Sequence, residues 1–196
     1  YDGVDDILSL VPLTAPLRPN DPGLPPVAYP NNIYGETPNE GMGNQLAAST
    51  LAATGADWVT VQTNVGESGQ GISVIEKGGT GNAFASTIYE VGALEKLAAG
   101  QGKTYGVGAI FLTHGETDAD NMDYGAHVAK LATDYDTDLR ALTGQAQKIP
   151  FFASQQGTFP QALGPSSSTL AVWQLQGALP DYYLVGPKYQ YEYAAD

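Results

Sequence analysis

The sequence contains no cysteine among its 196 residues. This absence excludes a disulfide framework, a zinc site with thiolate ligands and a cysteine nucleophile. Basic residues are also few, since 8 Lys and Arg stand against 21 Asp and Glu and give a net charge of −13 at pH 7. With so few cations there is no basic surface for phosphate groups, so we expect neither nucleic acid nor an anionic membrane as a partner.

Long apolar runs are absent as well. No segment approaches the ~18 apolar residues of a membrane span. The first residues, Tyr1 to Asp6, lack the basic and apolar regions of a signal peptide, and no Met begins the chain. We therefore expect a processed or excised piece of a longer protein. The acidic composition, rich in Gly and Tyr, is compatible with a secreted or cell-surface protein.

The chain nevertheless has the composition of one ordinary domain. Apolar residues make up 42% of it and charged residues 15%, so it can bury a sizeable core and is not a disordered acidic tail. We expect residues 1–196 to form a single domain. Eight of the 13 prolines fall within residues 12–38, which predicts a long Pro-rich loop that is either a linker or a surface structure near a function.

Beyond this loop, helical and strand patterns alternate. Apolar residues at helical spacing predict helices near residues 39–55, 85–99, 124–143 and 166–179. Short apolar runs predict strands at residues 58–62, 107–112, 149–153 and 182–185, and the run at 107–112 predicts a strand buried on both faces. This alternation predicts an α/β fold, a flavodoxin-like three-layer α/β/α sandwich with a mostly parallel sheet, whose sites lie at the carboxyl ends of the strands.

The strongest candidate for chemistry directly follows the strand predicted at 107–112. It places His114, one of two histidines, beside Glu116, Asp118 and Asp120, at a junction rigid enough to hold polar groups in register. A solvated acidic loop that caps the next helix is an equal alternative. A calcium loop is a weaker one, because Asp118, Asp120 and Asp123 lack the ligand spacing of an EF-hand. His114 with Glu116 does not form the H-E-x-x-H zinc motif either.

A second candidate is the Gly-rich loop at residues 64–73. Its glycines leave backbone amides open to a ligand, so an oxyanion site made of such amides is chemically reasonable there. Ser68 is a poor candidate nucleophile, because Gln70 stands where the G-x-S-x-G motif requires glycine. No Lys follows the glycines as in a phosphate loop. The pattern alone favours a plain flexible turn.

Other residues of chemical interest are assigned structural roles. His127 falls on the third predicted helix and is interpreted as a packed or surface histidine rather than a base. The nearby Asp134, Asp136 and Asp138 are interpreted as a solvated face. Trp58 and Trp173 are expected in or near the core, and the apolar members of the last helix include Leu170, Trp173 and Leu175.

Three motifs in chain order resemble those of the SGNH hydrolases. They are residues 34–38 with 41–46, residues 69–75, and the string His114-Gly115-Glu116-Thr117-Asp118. The similarity is greatest to the sialate O-acetylesterase-like and acetylxylan-esterase branch, where a Q-G-E-S-D string or similar follows a buried strand. The resemblance implies hydrolysis of an ester, most often an acetyl group on a sugar, by a metal-independent Ser/His/Asp mechanism. It implies an acylated carbohydrate as partner and no cofactor.

The resemblance also implies roles for particular residues. Gly71, together with Gly69, would supply oxyanion-hole amides, and the string from His114 to Asp118 would line the hole. His114 stands at the Gln position and Thr117 at the Ser position of that string. The family's G-D-S or G-Q-S nucleophile block does not occur, and its D-x-x-H block would begin at catalytic Asp196, the final residue.

A serine hydroxyl is a weak nucleophile until a positioned imidazole takes its proton, so both missing blocks are required for turnover. We therefore expect these 196 residues to be the central part of a longer esterase, with its first strand and serine before Tyr1 and its histidine after Asp196. The alternative is an SGNH-like module without catalytic machinery that binds carbohydrate or serves a structural role.

Overall fold

A computed structural model describes residues 7–9, 52–55, 60–62, 65–67, 69–156 and 166–187. The Pro-rich loop at 12–38, most of the helix predicted at 39–55, Ser68 and Asp196 lie outside these residues. The described chain is α/β, as predicted. Its strands are β1 (Ile7–Ser9), β2 (Thr60–Gln62), β3 (Ile110–Leu112), β4 (Phe151–Gln155) and β5 (Tyr182–Pro187). Its helices are α1 (Ile72–Ile75), α2 (Ala83–Gly100), α3 (Tyr124–Thr143) and α4 (Ser167–Leu175).

The chain divides into two compact units. The first comprises Tyr1–Glu67 and Asn82–Ala93, and the second comprises Ser68–Gly81 and Leu94–Asp196. In the first unit, β1 and β2 form a parallel pair in which Ile7 lies opposite Thr60. The Glu67 carboxylate accepts hydrogen bonds from the amides of Asn82 and Ala83, and it thereby satisfies donors that the first turn of α2 leaves free.

The second unit is built on a parallel sheet of three strands in the order β3, β4, β5. Ile110 of β3 lies opposite Phe151 of β4, which in turn lies opposite Tyr182 of β5. Parallel neighbours require crossover connections, and the connection between β3 and β4 contains α3 while that between β4 and β5 contains α4. Helix α4 packs on β4 and β5, and it also contacts α3.

Helix α3 has the bounds that the sequence predicts. Its buried residues follow helical spacing: Val128, Leu131, Tyr135 and Leu139. The helix ends at Gly144, whose φ of 69° is the left-handed conformation favoured by glycine and whose amide donates to the carbonyl of Arg140. Leu142, predicted on the same inward stripe, is exposed instead because it lies in the last turn.

The sheet is not buried on both faces. Phe111 of β3 is 37% exposed and Tyr183 of β5 is 47% exposed, so the prediction for the run at 107–112 is wrong in this respect. These two rings stack on either side of the Phe152 ring. The Phe152 centroid lies 5.0 Å from that of Phe111 and 5.2 Å from that of Tyr183. The three side chains, which we call the aromatic ladder, occupy one face of the sheet because they share a register across β3, β4 and β5.

The side of helix α4 that faces the core differs from the predicted side. Leu170 and Trp173 are 44% and 59% exposed, whereas Val172 is buried together with the small polar residues Ser168 and Thr169. Ser166 provides the predicted cap, because its hydroxyl oxygen accepts a hydrogen bond from the amide of Thr169. The hydroxyls near the cap have acceptors inside the protein, which explains why this polar side can be buried.

One helix was not predicted. The single turn α1 lies within the Gly-rich stretch, and its Ile72 and Ile75 are buried at a spacing of three residues. No helix within the described ranges combines the length and apolarity needed to cross a membrane.

Candidate functional site

The segment from His114 to Asp118, which we call the His114 segment, follows β3. It is held by hydrogen bonds from the end of β4 and from α4. The His114 carbonyl accepts a hydrogen bond from the side-chain amide of Gln156, at the end of β4. The Gly115 carbonyl accepts one from the Ser168 hydroxyl of α4 at 2.7 Å. Both donors are buried. The backbone of this segment is therefore fixed by the sheet and by α4 rather than left as a free surface loop.

Gly115 is required by both conformation and space. Its φ is 129°, a conformation that residues with a side chain rarely adopt. An added Cβ would lie 3.2 Å from Ser168 Oγ and Tyr124 Oη and 3.3 Å from Gln156 Cγ. The segment can approach these three side chains so closely only because glycine stands at this position.

The His114 imidazole is engaged at both nitrogens. Its Nε2 lies 2.8 Å from the carbonyl oxygen of Gln70, and its Nδ1 lies 3.1 Å from the hydroxyl oxygen of Tyr124. A carbonyl can only accept, so Nε2 carries a proton, and in the neutral imidazole Nδ1 is then the acceptor for the Tyr124 hydroxyl. Burial, with added repulsion from Asp118 and Tyr182, raises the pKa of Tyr124 well above its usual value, which keeps this hydroxyl a donor. With both nitrogens occupied, His114 is not available as a general base.

Thr117 and Asp118 join the same segment to the Gly-rich turn. The Thr117 hydroxyl donates to the Gly69 carbonyl at 3.2 Å. Asp118 Oδ2 accepts from the Ile72 amide at 2.7 Å, while its Oδ1 accepts from the Asn121 side chain at 2.8 Å. Gly71 lies against the same carboxylate, since an added Cβ would be 3.5 Å from Asp118 Oδ2.

The structure thus brings together most of the residues singled out from the sequence. Gly69 and Gly71 lie in the turn that three side chains of the His114 segment contact, and Gly115 anchors that segment. Glu116 is exposed on the segment and acts on Tyr124 through its charge. Asp196, which the resemblance would make a catalytic residue, lies outside the described residues.

Sequence reasoning missed four residues of this arrangement. They are Gln70, Tyr124, Gln156 and Ser168. Gln156 had a usable signal, because it follows β4 directly and the carboxyl ends of neighbouring parallel strands meet at one edge of the sheet. Tyr124 and Ser168 had none, because the donor role of a hydroxyl depends on its contacts in the fold, and Gln70 takes part only through its backbone carbonyl.

His127 and Asp136 link other elements. His127 Nδ1 lies 2.9 Å from Glu76 Oε2, so this histidine is packed, half-buried, between α3 and the residue that ends α1. The prediction that Asp136 lies on a solvated face is wrong, because its carboxylate accepts hydrogen bonds from Lys148, from Arg140 and from the Ile149 amide. Within the described ranges, no three His, Asp or Glu side chains are grouped so that they could hold a metal ion.

Comparison with protein-family models, with curated proteins and with solved structures gives no match for this chain. The defining feature of the site is a Gly-rich turn whose carbonyls and amide are bound by side chains of a loop at the carboxyl end of β3.

Proposed function

We propose that the protein is a serine ester hydrolase of the SGNH type that removes acetyl or similar acyl groups from a carbohydrate. The observation that supports this most is the contact between the turn at Gly69–Ile72 and the string from His114 to Asp118. These are the two segments whose motifs resemble the oxyanion-hole motifs of that family.

In this proposal the described residues form the oxyanion side of the site. A serine hydroxyl attacks the ester carbonyl carbon while an imidazole takes its proton, and the carbonyl oxygen becomes an oxyanion that backbone amides stabilise. The carbon–oxygen bond of the ester then breaks, and the departing sugar oxygen receives the proton. Water then attacks the carbonyl carbon of the acyl-serine while the imidazole takes a proton from it. The bond to the serine oxygen breaks, the serine recovers its proton from the imidazole, and the acyl group leaves as a carboxylic acid.

The serine and the imidazole must come from elsewhere than the His114 segment. His114 donates to a carbonyl and accepts from Tyr124, so it does not act as the base. We assign the base to a histidine in a D-x-x-H block that begins at Asp196, and the nucleophile to a serine preceding Tyr1. Asp196 is the acid residue that orients this histidine.

The three-layer α/β/α sandwich belongs to the same proposal. The aromatic ladder leaves large apolar rings half-exposed on one face of the sheet. Such a face favours coverage by a further layer of helices. A net charge of −13 repels anionic substrates, which favours an uncharged acylated carbohydrate as the partner and fits a secreted or cell-surface location.

Acetate release from an acetylated polysaccharide tests the proposal. We expect the full-length protein to release acetate from acetylated xylan or an acetylated sugar, and to do so equally well after EDTA treatment, because the mechanism uses no metal. The deacetylated polysaccharide serves as the control. Folded protein that binds acetylated xylan without releasing acetate would contradict the proposal and favour the non-catalytic carbohydrate-binding module.

A further inference from the structure

We propose that His114 and Thr117 are positioning residues that hold two successive peptide groups, so that the amides of Gln70 and Gly71 act together as oxyanion donors. This inference rests on the proposed esterase function. The resemblance to the SGNH hydrolases implies the amide of Gly69 as the second oxyanion donor, whereas this inference assigns that role to the amide of Gln70. It also gives His114 a role that requires a proton on Nε2 and no proton transfer.

The argument begins with the planarity of the peptide group. In a trans peptide the C=O and N–H bonds point in opposite directions. Thr117 binds the Gly69 carbonyl at 3.2 Å, and His114 binds the Gln70 carbonyl at 2.8 Å. Both carbonyls therefore face the His114 segment, and the N–H groups of the same two peptides, which belong to Gln70 and Gly71, face away from it.

The next peptide is held the other way round. Its N–H, from Ile72, donates to Asp118 Oδ2 at 2.7 Å, so this amide faces the His114 segment and is already used. Within the described residues, no atom accepts a hydrogen bond from the amides of Gln70 or Gly71. The side chains of one loop thus select which two successive amides remain open to a ligand.

The His114 ring is itself fixed. Its side chain is nearly buried, and its plane lies 6° from that of the Tyr124 ring, with centroids 5.8 Å apart. Because the Tyr124 hydroxyl donates to Nδ1, the proton is kept on Nε2, where it binds the Gln70 carbonyl. A glutamine at position 114 can provide both functions, since its side-chain amide carries one donor group and one acceptor.

Kinetics of His114 variants of the full-length protein test this inference. We would compare His114→Leu, His114→Gln and the control His127→Leu, which removes the other histidine, using 4-nitrophenyl acetate as substrate. Loss of one oxyanion donor lowers kcat by about 10²–10³. We expect His114→Leu to lower kcat by about 10²-fold with little change in KM, His114→Gln to recover most of that loss, and His127→Leu to retain wild-type kcat.

A kcat of His114→Leu within about threefold of the wild-type value would overturn the inference. So would equal losses in His114→Gln and His114→Leu, because a positioning role must be rescued by the variant that keeps both hydrogen bonds. Wild-type protein that is folded yet inactive would instead refute the proposed esterase. In that case the ¹⁵N shifts of His114 still test the geometry: a protonated Nε2 supports the peptide arrangement, and an unprotonated Nε2 contradicts it.

Discussion

Gly115 is the residue on which the position of the His114 segment depends. Its φ of 129° is rarely adopted by residues with a side chain, and an added Cβ would make tight 3.2 Å contacts with Ser168 Oγ and Tyr124 Oη. We expect Gly115→Ala to lower the free energy of unfolding by about 2 kcal/mol, because it combines backbone strain with tight contacts that the neighbouring side chains must relieve.

Urea denaturation measures this effect, with Gly108→Ala as the matched control. Gly108 precedes β3 and has open space around it, and its φ lies outside the left-handed region. The control should change stability by no more than about 0.5 kcal/mol. Equal effects of the two substitutions would show that the close packing around Gly115 is not important for stability.

Gly71 allows the role of a single amide to be isolated. Its φ of −78° suits proline, which has no amide hydrogen. We expect Gly71→Pro to lower kcat by about 10²–10³, the usual effect of removing one oxyanion donor. Gly71→Ala keeps the amide, and its Cβ would make an ordinary 3.5 Å contact with Asp118 Oδ2, so it should lose less than about tenfold.

Steady-state kinetics of both Gly71 variants provide the measurement, with circular dichroism to show that each variant is folded. If folded Gly71→Pro turned over ester as fast as Gly71→Ala, the amide would have no part in stabilising the oxyanion.

At the scale of elements, Asp136 connects α3 to the start of β4. Burial acts to raise the pKa of Asp136, but hydrogen bonds from Lys148, the Ile149 amide and Arg140 outweigh it and hold this pKa below its usual value. The stabilisation is therefore present above the unfolded Asp pKa of about 3.9 and is lost as pH falls through the lower folded value.

Asp136→Asn should accordingly destabilise the protein at pH 7 by about 1 kcal/mol, a modest figure because solvent screens these ion pairs. The difference from wild type should shrink as the pH falls below about 4. Urea denaturation from pH 7 to pH 3 measures it. The control is Asp134→Asn, which removes a pairing with Lys130 within α3. If the stability loss of Asp134→Asn depended on pH as strongly as that of Asp136→Asn, this assignment would be contradicted.

The buried side of a helix could be predicted where it has one clear apolar face, and could not where apolar residues lie on several faces. Helix α3 combines an apolar stripe with a terminal glycine, and both bounds agree with the pattern. Helix α4 has Leu170 and Trp173 on one side and Val172 on another, and the polar contacts of Ser168 decide which side is buried. Those contacts are made with Gly115, far away in sequence.

The candidate site shows the same division. Its two segments could be selected from the sequence, because glycines and a histidine beside carboxylates are distinctive residue types. Their connections could not, because the partner of His114 is the carbonyl of Gln70, a group that every residue possesses. Backbone acceptors leave no trace in a sequence, so only the three-dimensional arrangement identifies them.

At the scale of the whole molecule, the central claim is that this chain is part of a serine esterase. Labelling of the full-length protein with a fluorophosphonate probe tests it most directly, because the probe bonds covalently to an activated serine. Peptide mass spectrometry then identifies the labelled residue. The account predicts one labelled serine in a peptide that precedes Tyr1; a label on Ser68, or no label on protein shown to be folded, would contradict it.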